Sequence, residues 1–238
     1  MNRLEGIGMS MSFKQRKVVK NISIHVEEGE IIGLLGPNGA GKTTTFHMIL
    51  GIHKPESGKI VLNGQDITKL PVYMRARMGI GFLPQEPSIF KGLSVIENIE
   101  SVIEYNKNIE SKNINEVMNE MGITELKNRK AYLLSGGERR RLEIARSLVL
   151  NPTFLLLDEP FAGIDPIQIG EIRNLIQSFK KKKIGIIITD HNVREILKIT
   201  DRSYIINKGE LIFQGNSFNL INDDRVIEEY LGKEFRWH

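Results

Sequence analysis

The chain has 238 residues, with 33 Lys and Arg against 29 Asp and Glu, a formal net charge of +4, and no cysteine. That length buries a sizeable core, either as one large domain or as a core carrying an inserted subdomain. The lack of cysteine excludes disulfides and thiolate metal sites, and no apolar run approaches the roughly 18–20 residues that cross a bilayer.

The first residues, Met1-Asn2-Arg3-Leu4-Glu5, lack the apolar core of a signal peptide, so a cytoplasmic chain is expected. A charge of +4 is too small to demand nucleic acid. Met9 to Phe13 and Ile22 to Val26 read as strands, the second alternating apolar and polar residues. Phe13 has two readings: a ring that stacks on a purine, worth roughly 1–3 kcal/mol by analogy with other base stacking, or an ordinary core phenylalanine.

Ile31 to Leu35 is apolar apart from one glycine, as a strand buried on both faces should be. It runs into Gly36-Pro37-Asn38-Gly39-Ala40-Gly41-Lys42-Thr43, which fits G-x-x-x-x-G-K-[ST] at every defined position. Thr44, Thr45 and Phe46 then lead into a helix. The glycines let successive N–H groups curl around phosphate oxygens, and the helix N-terminus adds partial positive charge. Lys42 would reach the β- and γ-phosphates, and the Thr43 hydroxyl would ligate Mg²⁺.

Gly51 and Pro55 end that helix, and Gly58 to Gly64 reads as a strand closing on a turn. Ile80 to Leu83 is a further buried strand that delivers Pro84-Gln85. From position alone, Gln85 could ligate Mg²⁺ or hold a water. From about Glu86 to Leu134 the periodicity is helical, as expected of a helical insert in an α/β core. Leu134-Ser135-Gly136-Gly137-Glu138 opens the next helix with a capping box formed by Ser135 and Glu138. Two glycines just inside a helix cost roughly 1 kcal/mol each against alanine. They suit an N-terminus that must approach a phosphate closely.

Phe154 to Leu157 is an apolar strand ending in Asp158-Glu159-Pro160. Asp158 at the strand end would hold hydrated Mg²⁺, and Glu159 would polarise the attacking water. Ile172, Leu175, Ile176 and Phe179 form a helical pattern before Lys180 to Lys183, a basic run that complements a helix C-terminus rather than gripping a polyanion. Lys183 to Thr189 is another strand, delivering Asp190-His191; the histidine either bonds a γ-phosphate or is a capping or surface residue. Tyr204 to Phe213 reads as a hairpin, and the tail from Ser217 as helical to Tyr230.

These motifs in this order resemble the ATP-binding subunits of ABC transporters over nearly the whole chain. The resemblance implies an α/β P-loop NTPase fold of the ABC type. Its RecA-like core would span 1–85 and 151–217 with an antiparallel β subdomain, a helical subdomain would cover about 86–150, and a tail 218–238. It implies ATP and Mg²⁺ as ligands, with Phe13 at the adenine-stacking position and Gly36, Pro37, Asn38, Gly39, Ala40, Gly41, Lys42, Thr43 and Thr44 around the phosphates. Gln85 falls at the hinge glutamine, His191 at the switch histidine and Asp165 at a dimer-contacting loop. Ser135, Gly136, Gly137 and Glu138 match the signature that caps the γ-phosphate of the partner subunit. Glu159, His191 and Gln85 would be catalytic, and Thr43, Gln85 and Asp158 the metal ligands. The implied assembly is a homodimer in the ATP-bound state. It would sit on two integral-membrane subunits docking near Ser88, Ile89 and Phe90, at the cytoplasmic face of the inner membrane. Within the family, the segment Phe161-Ala162-Gly163 and the ending Tyr230 to Phe235 resemble exporters of lipopolysaccharide. The alternative is a branched-chain amino-acid importer. Because Glu159 and His191 are both present, the chain is expected to hydrolyse ATP rather than only bind it.

Overall fold

A computed structural model describes residues 2–104, 113–232 and 234–235. The expected helical insert and the C-terminal ending each extend in part beyond these residues. In chain order the strands are β1 (Arg3–Phe13), β2 (Arg16–Glu27), β3 (Ile31–Leu35), β4 (Ser57–Leu62), β5 (Gln65–Asp66), β6 (Ile80–Leu83), β7 (Phe154–Asp158), β8 (Gly185–Thr189), β9 (Arg202–Asn207) and β10 (Glu210–Gly215). The helices are α1 (Lys42–Leu50), α2 (Val72–Arg77), α3 (Val95–Glu104), α4 (Ile114–Glu120), α5 (Gly136–Leu148), α6 (Pro166–Lys181), α7 (Val193–Leu197), α8 (Ser217–Ile221) and α9 (Asp224–Val226).

Two sheets carry the fold. A four-stranded antiparallel sheet has the order β2-β1-β4-β5, and a six-stranded sheet the order β10-β9-β3-β8-β7-β6. In the larger sheet β9, β3, β8, β7 and β6 are mutually parallel, and β10 closes one edge antiparallel. Its central strands are buried on both faces, which is why they read as unbroken apolar runs. Successive residues serve opposite cores. Leu35, Leu155, Leu157, Ile186 and Ile188 face the cluster that includes Leu142, Ile144 and Ile176 of α5 and α6. Leu34, Phe154, Leu156 and Ile187 face the cluster that holds Phe46 and Ile49 of α1 with Ile22 and Ile24 of β2.

Buried polar groups join the layers. Tyr204 of β9 is fully buried, and its hydroxyl bonds the His25 ring and backbone N–H of β2. Arg202 holds the same hydroxyl and pairs with Glu30 at 2.7 Å. Burial, and then the Arg202 charge, push the His25 imidazole below its ordinary value.

Helix α2 was not anticipated. Its sequence, Val72-Tyr73-Met74-Arg75-Ala76-Arg77, has no apolar period, and its inward residue is Arg75, 1% exposed. The Arg75 guanidinium donates to the carbonyls of Met48 and Ile49 at the end of α1 and to those of Leu70 and Thr68. It thereby satisfies carbonyls that a helix end leaves open. Burial lowers its pKa to about 10, leaving it charged. The tail is shorter in regular helix than expected: α8 and α9 are brief, and Ile227–Leu231 forms a wider π turn. In the basic run, Lys180 pairs with Asp201 and Lys182 with Glu120, so these two cations are neutralised locally.

Candidate active site

Parallel strands point the same way, so loops leaving their C-terminal ends gather along one edge. After β3 comes the glycine-rich loop, after β6 Gln85, after β7 Glu159, and after β8 His191. The pairings Leu83↔Leu157 and Asp158↔Thr189 put the last three exits level with one another.

The loop after β3 is built from backbone. Gly36, Gly39 and Gly41 all have positive φ, at 147°, 74° and 111°. A Cβ on Gly36 would lie 2.0 Å from the Ile206 carbonyl oxygen, so only glycine fits there. A Cβ on Gly39 would meet nothing within 4 Å, so that glycine is demanded by its conformation and not by protein packing. Gly41 caps α1 without a side-chain hydrogen bond, whereas Asn113, Ser135, Asp165 and Asn192 cap their helices with a side-chain oxygen. The first N–H groups of α1 are thus left without a side-chain acceptor, the condition under which a helix start can take an anion. Lys42 is 8% exposed, and its Nζ donates to the Gly36 carbonyl at 2.7 Å and the Pro37 carbonyl at 3.1 Å. Burial lowers its pKa, opposed by Glu159 and Asp158. Thr43 is exposed at the helix start, and Thr44 is half-buried.

The acidic side is a clasp on one carboxylate. Gln85 Nε2 donates to Glu159 Oε2 at 2.8 Å, and His191 Nε2 lies 2.8 Å from Glu159 Oε1. Glu159 has a φ of 49°, a left-handed conformation that a non-glycine residue adopts at a cost, and its N–H donates to the Thr189 carbonyl at 2.8 Å. Asp158 is 3% exposed, and burial, with the adjacent Glu159 charge, pushes its pKa up to about 6. A buried acid with a second acid beside it suits a bound cation, and Thr43 and Gln85 offer uncharged oxygens of the kind Mg²⁺ takes. The described residues contain no group of three His, Cys, Asp or Glu arranged to hold a metal by themselves. Such a cation would therefore lean on ligand oxygens and water as well as on protein.

Ser135 and Glu138 form the expected capping box: Ser135 N–H donates to Glu138 Oε2 at 2.7 Å, and Glu138 N–H to Ser135 Oγ at 3.3 Å. Ser135 and Gly136 are exposed. A Cβ on Gly137 would lie 2.4 Å from Oε1 of Gln168 on α6, the movable end of a flexible side chain, so packing within the chain does not by itself demand glycine there. Phe13 is 43% exposed at the end of β1 and is not a core residue.

Three residues escaped the sequence reading. Arg140 of α5, buried, donates to the carbonyls of Asp158, Glu159, Pro160 and Pro84, and pairs with Glu143 at 2.8 Å. It is the middle of three consecutive arginines, and nothing in the run sets it apart. Asp190 accepts from the Phe161 and Asn192 N–H groups at 2.9 Å each and so ties the loop after β7 to the loop after β8. Its adjacency to His191 was the available signal. Tyr230, in the tail, lies near the loop after β3: burial pushes its hydroxyl up to about 12, with Asp190 adding to the shift and the Gly36 backbone opposing it.

Between α2, β6 and α5 lies a cavity of about 210 Å³ lined by Val72, Arg75, Phe82, Ser88, Arg146 and Leu150 among others. Arg146 donates to the Ser88 carbonyl, and its guanidinium lies 5.1 Å from the Phe90 ring centroid. Phe90 is 50% exposed. Ile89 corrects the expectation of a groove residue: it is 8% exposed and packs into the core with Val95 and Ile99 in its cluster, while Ser88 and Phe90 on either side are exposed.

The profile of the family described as ABC transporter matches residues 19–162, well over half of the chain. The chain belongs to the ABC transporter ATP-binding family. It is 49% identical over 236 residues to a probable ABC transporter ATP-binding protein of Azorhizobium caulinodans, covering 98% of this chain and 84% of that one. It is 46% identical over 240 residues to the lipopolysaccharide export system ATP-binding proteins LptB of Haemophilus influenzae and of Escherichia coli K12, covering 99% of this chain and all of theirs. Among solved structures, the ADP conformation of an ATP-binding cassette of an ABC transporter superposes with a TM-score of 0.88 at 28% identity, covering 98% of this chain and 100% of that one. The family's P-loop α/β fold is therefore that of this chain. As a member it binds nucleotide and acts as an ATPase coupled to transport. Among the described residues no helix is long and apolar enough to cross a membrane.

Proposed function

We propose that this chain is the ATPase subunit of a lipopolysaccharide exporter, taking its power stroke from ATP at the edge where the four loops meet. The observation that carries the ATPase reading is the Gln85–Glu159–His191 clasp beside the uncapped start of α1. The 46% full-length identity to proteins named for lipopolysaccharide export supports the cargo over the amino-acid importer alternative.

In this reading the loop from Gly36 to Thr44 cradles the phosphates, Lys42 bridges the β- and γ-phosphates, and Phe13 stacks on adenine. Thr43, Asp158 and Gln85 would hold Mg²⁺, which when bound neutralises charge on the β- and γ-phosphate oxygens. Glu159 orients a water and takes its proton as the water oxygen attacks the γ-phosphorus. The bond to the bridging oxygen breaks, releasing ADP and phosphate. His191 and Gln85 hold the Glu159 carboxylate in position for that transfer. Ser135, Gly136, Gly137 and Glu138 would cap the nucleotide of a second copy in an ATP-bound homodimer. Core 1–85 and 151–217, helical subdomain 86–150 and tail 218–238 are the divisions that go with this reading.

The membrane partners would be two integral subunits of the LptF and LptG kind, seated over Ser88 and Phe90, with the chain peripheral at the cytoplasmic face of the inner membrane. Phe90→Ser should then sharply reduce recovery of the assembled transporter, since the ring's apolar contact is lost and a hydroxyl buried there without a partner costs several kcal/mol. ATP affinity of the isolated variant, measured alongside, separates lost docking from lost folding. Assembly at parental levels would remove Phe90 from the contact. Depleting the chain from cells should strand lipopolysaccharide at the inner membrane and leave leucine uptake intact. Lost leucine uptake with a sound outer membrane would favour the importer.

A further inference from the structure

Three rings form a stair between the phosphate loop and the strand that carries Phe13. His47 sits on α1, the helix that the phosphate loop opens. His53 lies just past the end of that helix, with its ring centroid 5.2 Å from that of His47 at 65° between planes. The Phe13 ring follows, 5.5 Å from His53 and 73° to it. Both contacts have the edge-to-face form that aromatic quadrupoles favour.

The backbone holds the same bracket at both ends. The Ile52 and His53 N–H groups donate to the His47 carbonyl at 2.9 and 3.1 Å, which fastens the segment to α1. Three residues on, the Glu56 N–H donates to the Ser10 carbonyl at 2.9 Å, and Glu56 Oε2 accepts from Ser12 Oγ at 3.0 Å, which fastens it to β1 immediately before Phe13. Phe13 itself ends β1 at a two-residue turn, is 43% exposed, and makes its ring-to-ring contact with His53. A base platform is useful only if its face stands at a set distance from the phosphates, because one ligand must satisfy both ends.

We propose that His53 is a positioning residue for the purine: it orients the Phe13 ring and, through His47, ties that orientation to the phosphate-loop helix. The proposal rests on the nucleotide reading above, with Phe13 as the stacking ring. His53 touches the platform and not the phosphates, so its loss should be felt by ligands that carry a base and not by ligands that lack one.

The test compares binding of ATP and of inorganic triphosphate to the full chain by calorimetry, with magnesium omitted so that hydrolysis does not run. His53→Ala should weaken ATP about two- to tenfold, the range an edge-to-face pair is worth, and leave triphosphate unchanged. His53→Leu, which keeps bulk without a ring and guards against a folding defect, should behave the same way. His53→Phe should restore ATP affinity. ATP binding at the parental level in both His53→Ala and His53→Leu would overturn the proposal. So would equal weakening of ATP and triphosphate, which would make the residue a brace of the phosphate loop. Phe13→Ala is run beside them: if it keeps full ATP affinity while triphosphate also binds, the stacking reading itself fails, independently of His53.

Discussion

Glu159→Gln should cut ATP turnover by roughly 10²–10⁴-fold, the range removal of a positioned general base produces, while ATP binding holds. The amide keeps the size of the carboxylate and can still meet Gln85 and His191, but it cannot take a proton from water. Lys42→Ala should act on the other arm, weakening ATP itself because a buried cation on the phosphates disappears. The two variants therefore separate: one binds and does not turn over, the other does not bind. Since bound ATP would be shared across two copies, ATP should also convert the Glu159→Gln chain from monomer to dimer by linkage. Sedimentation or light scattering reads that shift. Loss of ATP affinity to the same degree in both variants would contradict the roles, and a dimer that forms equally well without nucleotide would remove the shared site.

Arg140→Met should be the most destabilising single change at the site. The ion pair to Glu143 is almost wholly buried, with side-chain exposures of 6% and 3%. Removing one partner leaves an uncompensated buried charge, which costs about 3–5 kcal/mol. For a chain of this length each kcal/mol lowers Tm by about 2–4 °C. A fall of roughly 6–20 °C is expected in thermal denaturation. The double variant Arg140→Met with Glu143→Leu should recover part of that loss, since the stranded carboxylate is gone, but not all of it. The carbonyls of Asp158, Glu159 and Pro160 would still lack their donor. Turnover in the double variant should accordingly stay low, because the left-handed turn at Glu159 has lost its outer support. A single variant as stable as the parent would show that the pair contributes nothing, and full turnover in the double variant would show that the clamp does not position Glu159.

The parts of this protein that were legible in its sequence are those whose physics is local. A strand buried on both faces must be apolar throughout, so β3, β7 and β8 declared themselves. A loop that offers backbone N–H groups to an anion must be glycine-rich and must run directly into a helix, so the stretch from Gly36 to Thr43 did too. The capping box at Ser135 and Glu138 is a four-residue contact and was read correctly. Helix α2 was invisible for the converse reason: its buried face is a single arginine, whose partners include the end carbonyls of another helix 27 and 26 residues away in the chain.

What only the tertiary structure decided is which polar residues belong together. That Phe13 is not a core residue was settled only by its exposure. Ile89, which the resemblance places in a docking groove with Ser88 and Phe90, turns out to pack into the core, while its two neighbours are exposed. Arg140 looks like its two neighbours, yet helical geometry sends it inward to four carbonyls from two different strand ends. Periodicity and motif spacing determine which elements form. The meeting of Gln85, Glu159 and His191 on one carboxylate depends on the order in which parallel strands pair, a contact between residues 74 and 32 positions apart, and no local pattern encodes it.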